Sequence, residues 1–238
     1  MIPLSITTAK SVGEIVAEDY RTASIFKQYG IDFCCGGKKS LEQVCTSKGI
    51  NTEELNKSLE LVHRSTSRKE QNFDAWSLPL LSEYIVQKHH TYVREQLPLL
   101  EEYSNKIARV HGETHPENRQ IAVLIGALSR ELSNHLDKEE QILFPWIKKI
   151  SNTSINHQSE AGLEGPVLQM EAEHEIAGEI MHQIRKLSQN YTLPKGACNT
   201  WRVLWSLLSD FEEDLHEHVH LENNILFPKA LRLQMGKN

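Results

Sequence analysis

The sequence predicts an all-α protein in which a small helical unit precedes an up-down four-helix bundle. Apolar residues recur with the spacing of amphipathic helices along the whole chain, and no convincing period-two strand is found. Four long helical segments occupy the second part of the chain, separated by short polar breaks. Antiparallel helices joined by connections of this length are typical of an up-down bundle.

The predicted small unit contains helices with recognisable ends. A first helix covers roughly residues 11–29 and stops at Gly30. After a "CCGG" turn, Ser40 with Gln43 three residues later resembles a capping box, and Gly49 closes this short helix.

A third helix begins near residues 51–52 and fades into the polar stretch "STSRKEQN" (65–72), which we interpret as a linker. The linker divides the chain into two predicted domains. They are a small helical cysteine-containing domain at 1–70 and a four-helix bundle at 71–238.

The bundle is predicted from four helical segments, which cover about 77–109, 117–149, 166–189 and 197–234. "HGETHPE", a polar loop at 151–165 and "NYTLPKGA" separate them. Three prolines inside or near the ends of these segments are expected to kink them, namely Pro98, Pro145 and Pro228.

Composition narrows the class of function. A net charge of −6 disfavours a nucleic-acid partner. No apolar run is long enough to span a membrane, and the first residues lack the features of a signal peptide, so we expect a cytoplasmic protein. Four cysteines are too few for a disulfide scaffold, and a reducing cytosol would keep them as thiols. Cys45 and Cys198 are predicted to be structural thiols.

An internal repeat carries the candidate chemistry. "HLDKEEQILFP" starts at His135 and "HVHLENNILFP" at His218, and each has His, three residues, Glu and then "ILFP" in the same register. Another histidine lies upstream in each half, at distances of 45 residues (135 − 90) and 44 residues (218 − 174). The repeat thus selects six residues as metal ligands: His90, His135, Glu139, His174, His218 and Glu222.

The repeat also sorts the crowded histidines of the last helix. His216 and His220 correspond to Ser133 and Asp137 of the first copy, whereas His218 matches a histidine. At about 100° per residue, His216 and His220 fall roughly opposite His218. We therefore expect these two to point out of the bundle, towards water.

Apolar residues share the helix faces of the four predicted histidine ligands. They are Leu207, Phe211, Leu215 and Ile225 around His218; Leu128, Leu132, Ile142 and Trp146 around His135; Val167, Met170 and Met181 around His174; and Val86 and Leu97 around His90. Carboxylates on such a face are costly unless paired or metal-bound, and two of them repel each other without a cation between them. Imidazole with carboxylate suits Fe, Mn or Zn, which indicates a dinuclear redox-capable centre, with iron favoured.

Two other interpretations compete with a metal site of this composition. The same residues would also form buried histidine–glutamate ion pairs, and a single His-x-x-x-Glu is often a solvated pair. Ferritin-like di-iron bundles use Glu-x-x-His, which occurs here at Glu171/His174 and Glu213/His216. Neither recurs in the first half, so this second pattern is disfavoured.

The "CCGG" turn is the second candidate for chemistry. Cys34 and Cys35 come shortly before a helix start, where backbone amides stabilise a thiolate, and Lys38 and Lys39 add positive charge. A reactive pair would bind iron, accept a nitrosyl or exchange disulfides. The alternative is a Cys-Cys pair packed in a small core.

These motifs resemble a known family. The "REQLP" helix, "HLDKEEQILFP", "EAEHEIAGE" and "HVHLENNILFP" resemble the hemerythrin-like domain of iron–sulfur cluster repair di-iron proteins, the Repair of Iron Centers family. "YGIDFCCGGKKSL" resembles the N-terminal cysteine-containing domain of that family. The resemblance covers nearly the whole chain, with both motif sets in the expected order.

The resemblance implies a hemerythrin-like bundle holding two non-haem Fe ions that are oxo- and carboxylate-bridged. The family's ligands fall on the same six residues that the repeat selects. Its acidic residues near the site match Glu131 and Glu173, which would hydrogen-bond ligand histidines or line an iron path.

The resemblance also implies repair of iron–sulfur clusters damaged by nitrosative or oxidative stress, by supplying iron from a labile di-iron site. Damaged iron–sulfur proteins would be partners, and NO or O2 small ligands; a homodimer is left open. The alternatives are a nitric oxide reductase forming nitrous oxide, and a hemerythrin-like oxygen-binding or oxygen-sensing module. Whether the protein is an enzyme therefore stays open.

Overall fold

The computed structural model describes residues 9–64, 72–152 and 162–236, and within these ranges the chain is helical with no β-strand. An isolated antiparallel bridge joins Ser11 and Ser40. The all-α prediction is confirmed. Among the described residues no helix is both long and apolar enough to cross a membrane.

The small unit consists of α1 (Val12–Glu18), α2 (Ala23–Gln28), α3 (Leu41–Lys48) and α4 (Thr52–Arg64). The prediction of one helix over 11–29 is wrong, because Asp19 adopts extended backbone with φ −154° and ψ 97°. Its carboxylate accepts from the backbone N–H of Arg21 and pairs with the guanidinium of that residue. This local bond competes with helix continuation and caps the 3-10 turn Tyr20–Thr22 instead.

The predicted ends of α3 are confirmed. The Ser40 hydroxyl accepts from the backbone N–H of Gln43, and the Gln43 side chain accepts from the N–H of Ser40 in return. Gly49 ends the helix with φ 64°, a left-handed conformation that glycine adopts without a steric cost.

The four bundle segments are also confirmed, with three of them divided. They comprise α5 (Leu78–Ile85) and α6 (Thr91–His111), α7 (Glu117–Lys138) and α8 (Phe144–Asn152), α9 (Glu164–Leu187), and α10 (Asn199–Leu221) and α11 (Phe227–Gln234). Helix α6 packs against α7 and α10, and α7 packs against α9. Most of the predicted linker (65–71) and of the polar loop (153–161) lies outside the described residues.

A π-helical turn divides each of these three segments. The turns are Val86–His90, Glu139–Leu143 and Glu222–Leu226. Pro145 and Pro228 are the second residues of the α-helices that follow the last two turns, where the missing N–H of proline removes an α-helical hydrogen bond. Helix α6, in contrast, continues through Pro98.

The π turns change which residues face the core. An extra residue in one turn rotates the following positions by about 100° relative to an uninterrupted helix. Ile142, expected on the inner face with His135, is 60% exposed. Leu143 and Ile147 are buried in its place, and Trp146 is only half-buried.

Two apolar clusters hold the protein together. One runs through both parts of the chain, from Val12 and Leu41 in the small unit to Phe211 and Val219 in α10. The other lies at the end of the bundle formed by α5, α8 and α11. The small unit therefore shares a core with the bundle, while the boundary at residue 70 stays a prediction.

Two glycines bring the small unit onto the last π turn. A Cβ at Gly13 would lie 2.1 Å from Asn224 Oδ1, and one at Gly37 would lie 2.6 Å from the same atom. Asn224 Nδ2 donates to the carbonyls of Phe33 and Cys34, both at 3.3 Å. The close approach requires both glycines, because any larger residue would displace this side chain.

We expect Gly13→Ala to destabilise the protein by about 1–3 kcal/mol, because the added methyl group overlaps Asn224. Gly126→Ala, within α7, is the matched control, since its nearest neighbour would be the flexible Arg130 side chain at 3.7 Å. This control should gain about 0.5–1 kcal/mol, the usual advantage of Ala over Gly in a helix. Chemical denaturation measures both, and a stabilising Gly13→Ala would contradict the close contact.

Candidate metal centre

The six residues selected by the repeat meet in one layer of the bundle, between the two apolar clusters. Each is at most 2% exposed. The histidines come from the first π turn and from α7, α9 and α10, and the glutamates begin the other two π turns. In order, they are His90, His135, Glu139, His174, His218 and Glu222.

These residues form two groups that share both glutamates. One group contains His90 and His218, and the other contains His135 and His174; in each, one donor atom per residue lies within 4.8 Å of all the others. Two cation positions side by side, bridged by a pair of carboxylates, fit this arrangement. The grouping pairs histidines from different halves of the repeat.

The donor atoms converge at short distances. His135 Nε2 and His174 Nε2 are 3.0 Å apart, and His174 Nε2 lies 3.2 Å from Glu222 Oε2. His218 Nε2 donates to Glu222 Oε1 at 3.0 Å, and His135 Nε2 lies 3.3 Å from Glu139 Oε2. Ligands about 2.1 Å from one ion are roughly 3–3.5 Å apart, so these spacings suit metal coordination.

Several of these polar atoms have no hydrogen bond within the described part of the chain. They are both carboxylate oxygens of Glu139, Oε2 of Glu222 and Nε2 of His90. Buried polar atoms without partners are costly and rare in native proteins. A pair of divalent cations would satisfy all of them, so the residues fit a dinuclear metal site of imidazole and carboxylate ligands.

The buried carboxylates raise the pKa of two of the histidines. Burial alone would lower the pKa of His90, but the nearby carboxylates of Glu139 and Glu222, 3.4 Å and 3.8 Å from its Nε2, outweigh it and raise the pKa to about 10. For His135, burial is likewise outweighed, mainly by the charge of Glu139, and the pKa rises to about 9. Without metal, protons on these imidazoles neutralise the glutamates.

The pKa values of the two buried glutamates are lowered. Burial and the charge of Glu222 would raise the pKa of Glu139, but His135 and His90 outweigh them and lower it. Burial would also raise the pKa of Glu222, yet His218, His174 and His90 hold it well below its ordinary value. The lowered pKa values favour the ionised form of both carboxylates, which is the form that binds a cation.

Each half of the repeat orients its upstream histidine by the same device. His90 Nδ1 donates to Glu140 at 2.8 Å, and His174 Nδ1 donates to Asn223 Oδ1 at 2.9 Å. Glu140 and Asn223 each follow a predicted ligand glutamate directly. The sequence argument missed both, although their equivalent places in the repeat were a usable signal. Such partners fix the ring so that Nε2 faces the predicted metal position.

The two acidic residues expected near the site differ in their contacts. Glu173 accepts a hydrogen bond from His135 Nδ1 at 2.9 Å, so the expected hydrogen bond to a predicted ligand histidine is present. Glu173 also pairs with Lys138 at 2.5 Å. Glu131 is exposed, and within the described ranges it has no hydrogen bond to a predicted ligand. A role in an iron path stays a prediction for Glu131.

The fourth histidine is held differently. His218 Nδ1 is buried and has no hydrogen-bond partner among the described residues. His89, fully buried, stacks on this ring with centroids 5.4 Å apart and an interplanar angle of 11°. His89 Nδ1 in turn donates to Asp214 at 2.9 Å. The sequence pattern did not single out His89 or Asp214, because their equivalent positions in the other half hold the different residues Glu173 and Glu131.

The prediction that His216 and His220 face water is wrong. His220 is 1% exposed, and its ring lies 5.8 Å from Tyr20 and 5.9 Å from Phe33. His216 is half-buried against the same Phe33 ring. Both point away from the six-residue cluster, as the helix angle requires, but the small unit covers this face of α10.

The Glu-x-x-His pairs supply no ligand besides His174. Glu171 pairs with Lys38 at 2.6 Å and thereby joins α9 to the small unit. Glu213 is exposed.

The "CCGG" turn is organised by Asp32, which the sequence argument did not consider. Its Oδ1 accepts from the backbone N–H groups of Cys34 and Cys35 and from the Cys34 thiol, at 2.9–3.1 Å. Its Oδ2 accepts from the N–H of Gly36 at 2.9 Å. The backbone amides nearest the two thiols therefore bind a carboxylate.

The expectation of a stabilised thiolate is wrong for Cys34. A hydrogen bond with Cys35, burial and the negative charge of Asp32 raise the pKa of Cys34 well above its ordinary value. Lys38, expected to add positive charge here, is held by Glu171 on α9. Cys34 is a neutral thiol, while Cys35 is partly exposed and both are unbridged. Of the remaining thiols, Cys45 is buried in α3 and Cys198 is half-buried.

A cavity of about 640 Å³ lies between the turn, α9 and α10. Cys34 and Cys35 line one side of it, and His174 and Met181 of α9 line another. It therefore connects the neighbourhood of the thiols with one predicted metal ligand.

Comparison with known proteins agrees with this geometry. The Hemerythrin HHE cation binding domain family matches residues 82–230, and a domain of unknown function (DUF542, ScdA_N) matches residues 8–63. The iron-sulfur cluster repair protein YtfE of Yersinia pestis strain Pestoides F is 37% identical over 223 residues, covering 94% of this chain and 97% of the relative. YtfE of Yersinia pseudotuberculosis serotype O:1b has the same identity and coverage.

The fold and the paired histidine–glutamate clusters define a hemerythrin-like cation-binding protein. With relatives of this similarity over almost its full length, the chain belongs to the family of iron–sulfur cluster repair proteins with an N-terminal ScdA_N domain.

The metal-free protein should be most stable near pH 6.5. The pKa of His90 and His135 is raised from 6.5 to about 10 and 9, so their contribution is complete below pH 6.5 and is lost as pH rises through 9–10. Burial lowers the pKa of His220 to about 4, so its contribution is lost as pH falls from 6.5.

Thermal unfolding of chelator-treated protein across pH 4–10 measures this dependence. Metal affinity should instead increase towards alkaline pH, because protons compete for the same imidazoles. A melting temperature of the metal-free form that is constant between pH 6.5 and 9.5 would contradict the raised histidine values.

Glu173→Ala should weaken metal binding by about 10- to 100-fold, because it removes the group that orients His135. Glu131→Ala is the matched control on a neighbouring helix and should bind metal like the wild type. Competition with a chromophoric chelator measures both affinities. Equal losses in the two variants would show that the hydrogen bond to His135 is not the cause.

Proposed function

We propose that this protein binds two non-haem iron ions, oxo- and carboxylate-bridged, and supplies iron for the repair of iron–sulfur clusters damaged by nitrosative or oxidative stress. The observation that carries the proposal is the pair of buried glutamates shared by two histidine pairs, with carboxylate oxygens that lack hydrogen bonds. The relatives are iron-sulfur cluster repair proteins by name, which supports the repair role in the proposal.

The ligand set supports a site from which iron can be withdrawn. The six proposed ligands are His90, His135, Glu139, His174, His218 and Glu222, all imidazoles and carboxylates, with no thiolate among them. When bound, the iron pair supplies exchangeable Fe²⁺ and one-electron redox chemistry. Protonation of Nε2 removes an imidazole ligand, and the neighbouring carboxylates make that proton favourable on His90 and His135.

The residues around the proposed ligands would keep the imidazole rings in place when the site is free of metal. Glu140, Glu173 and Asn223 each hold one imidazole ring through Nδ1, so Nε2 still faces the cluster. The glutamates then find compensation in the protonated histidines. This protonated state resembles the buried ion pairs considered as an alternative, which on this proposal describe the metal-free form.

The domains at 1–70 and 71–238 would divide the work, with the bundle holding iron and the cysteine-containing unit acting in docking or delivery. Damaged iron–sulfur proteins would be the partners, and the cytoplasm the compartment. Cys34 and Cys35 would take part in iron handling.

A second candidate, reduction of nitric oxide to nitrous oxide, is favoured by one observation. The cavity that reaches His174 is large enough to admit a diatomic molecule to the metal ligands. Glu131 and Glu173 would then act on protons or iron near the site.

Iron content is the first test of the proposed site. Anaerobically purified wild type should hold about two irons per chain, with oxo-bridge absorption after exposure to air. His135→Ala should lose most of the iron, because it removes one of the two proposed histidine ligands at one cation position. His216→Ala should retain it. Equal loss in both variants, with helical circular dichroism unchanged, would contradict the ligand assignment.

Transfer experiments separate iron supply from nitric oxide removal. Protein loaded with ⁵⁷Fe is mixed with an iron–sulfur enzyme whose cluster was damaged by oxidant, with NO absent. Iron supply predicts ⁵⁷Fe in the restored cluster and recovery of enzyme activity. Recovery only after NO damage, with nitrous oxide as product, would favour the second candidate.

A further inference from the structure

We propose that Asp32, Cys34 and Cys35 form a second metal site, which binds one divalent cation of the Fe²⁺ or Zn²⁺ type. One donor atom from each of the three residues lies within 4.8 Å of the others. The Cys34 sulfur and Asp32 Oδ1 are 3.1 Å apart. Thiolates about 2.3 Å and a carboxylate about 2.1 Å from one ion would be separated by about 3–4 Å, so small movements complete the site.

The turn is held in this conformation from two sides. Asp32 accepts from the N–H groups of Cys34, Cys35 and Gly36, which fixes the carboxylate beside the sulfurs. Asn224 donates to the Cys34 carbonyl and fixes the backbone against the bundle. A site with donors already in place loses little conformational entropy on binding.

The same constraints disfavour a disulfide between the two cysteines. A bond between adjacent residues closes a strained ring and requires the connecting peptide to distort. The hydrogen bonds to Asp32 and Asn224 would have to break for that distortion. Chelation leaves the backbone where it is.

Binding of the cation releases protons and changes the net charge of the site. The cation displaces the protons of both thiols into solvent, and two thiolates with one carboxylate leave a net charge of −1 on the complex. Lys27 and Lys39, which line the adjoining cavity, offset that charge. The fourth coordination position faces the cavity, where water or an exchanging ligand has room.

The proposed cysteine site lies beside helix α9 of the bundle. A Cβ at Gly178 would lie 3.9 Å from the Cys35 sulfur, and Gly178 is one turn after His174 on α9. The absent side chain keeps space between Cys35 and the helix. Resting on the proposed function, this site would receive or pass on Fe²⁺ at the surface of the bundle.

Cobalt(II) titration of the full-length, reduced protein under anaerobic conditions tests the site. Thiolate-to-cobalt charge-transfer absorption in the near ultraviolet reports cysteine ligation. Cobalt bound by histidines and glutamates does not give this band. We expect this band in the wild type at one cobalt per chain, and its loss in Cys34→Ser and Cys35→Ser. Asp32→Asn should weaken cobalt binding at this band by about tenfold or more, and Cys45→Ser and Cys198→Ser should keep it.

Absence of the band in the wild type, or its survival in the Cys34→Ser/Cys35→Ser double variant, would overturn the proposal. An unchanged cobalt affinity in Asp32→Asn would show that Asp32 is not a ligand of the site. Retention of iron by the cysteine variants shows that they fold. His135→Ala should keep the charge-transfer band while losing the iron of the bundle. The two measurements therefore test the cysteine site and the bundle site separately.

Discussion

Two carboxylates buried between apolar clusters are the constraint on which the structure of this protein depends. Glu139 and Glu222 are fully buried and close to each other, and like charges in such a place are unfavourable without compensation. Four imidazoles surround them; protons on His90 and His135 supply this compensation in the metal-free form, and bound cations would supply it otherwise. Neighbouring residues hold these rings at fixed angles, since three of the four histidines have a hydrogen-bond partner at Nδ1.

The π turn at 222–226 connects the histidine–glutamate cluster with the rest of the molecule. Three consecutive residues of this turn act in three directions: Glu222 belongs to the cluster, Asn223 orients His174, and Asn224 binds the cysteine-containing turn. A π turn makes this feasible, because its extra residue spreads neighbouring side chains differently from an α-helix. A change at the cluster that moved this turn would therefore also reach Cys34.

The small unit acts as part of the bundle's structure. It covers His216 and His220, contributes to the larger apolar cluster and forms one wall of the cavity that reaches His174. An oxygen carrier needs only the four helices, so this shared core is consistent with the family assignment. The polar seam between the parts places thiols, a carboxylate and lysines beside the ligand-bearing helix α9.

The sequence by itself determined the all-α fold, the four bundle segments and the six residues that converge, because helical periodicity and a repeated His-x-x-x-Glu are local patterns. Tertiary structure decided what surrounds them. Burial of His220 depends on residues some 190 positions away, such as Phe33, and the neutral Cys34 thiol depends on how Asp32 folds back. Ile142 is exposed because the π turn at 139–143 shifts the helical register, and the spacing of apolar residues in the sequence does not reveal that shift.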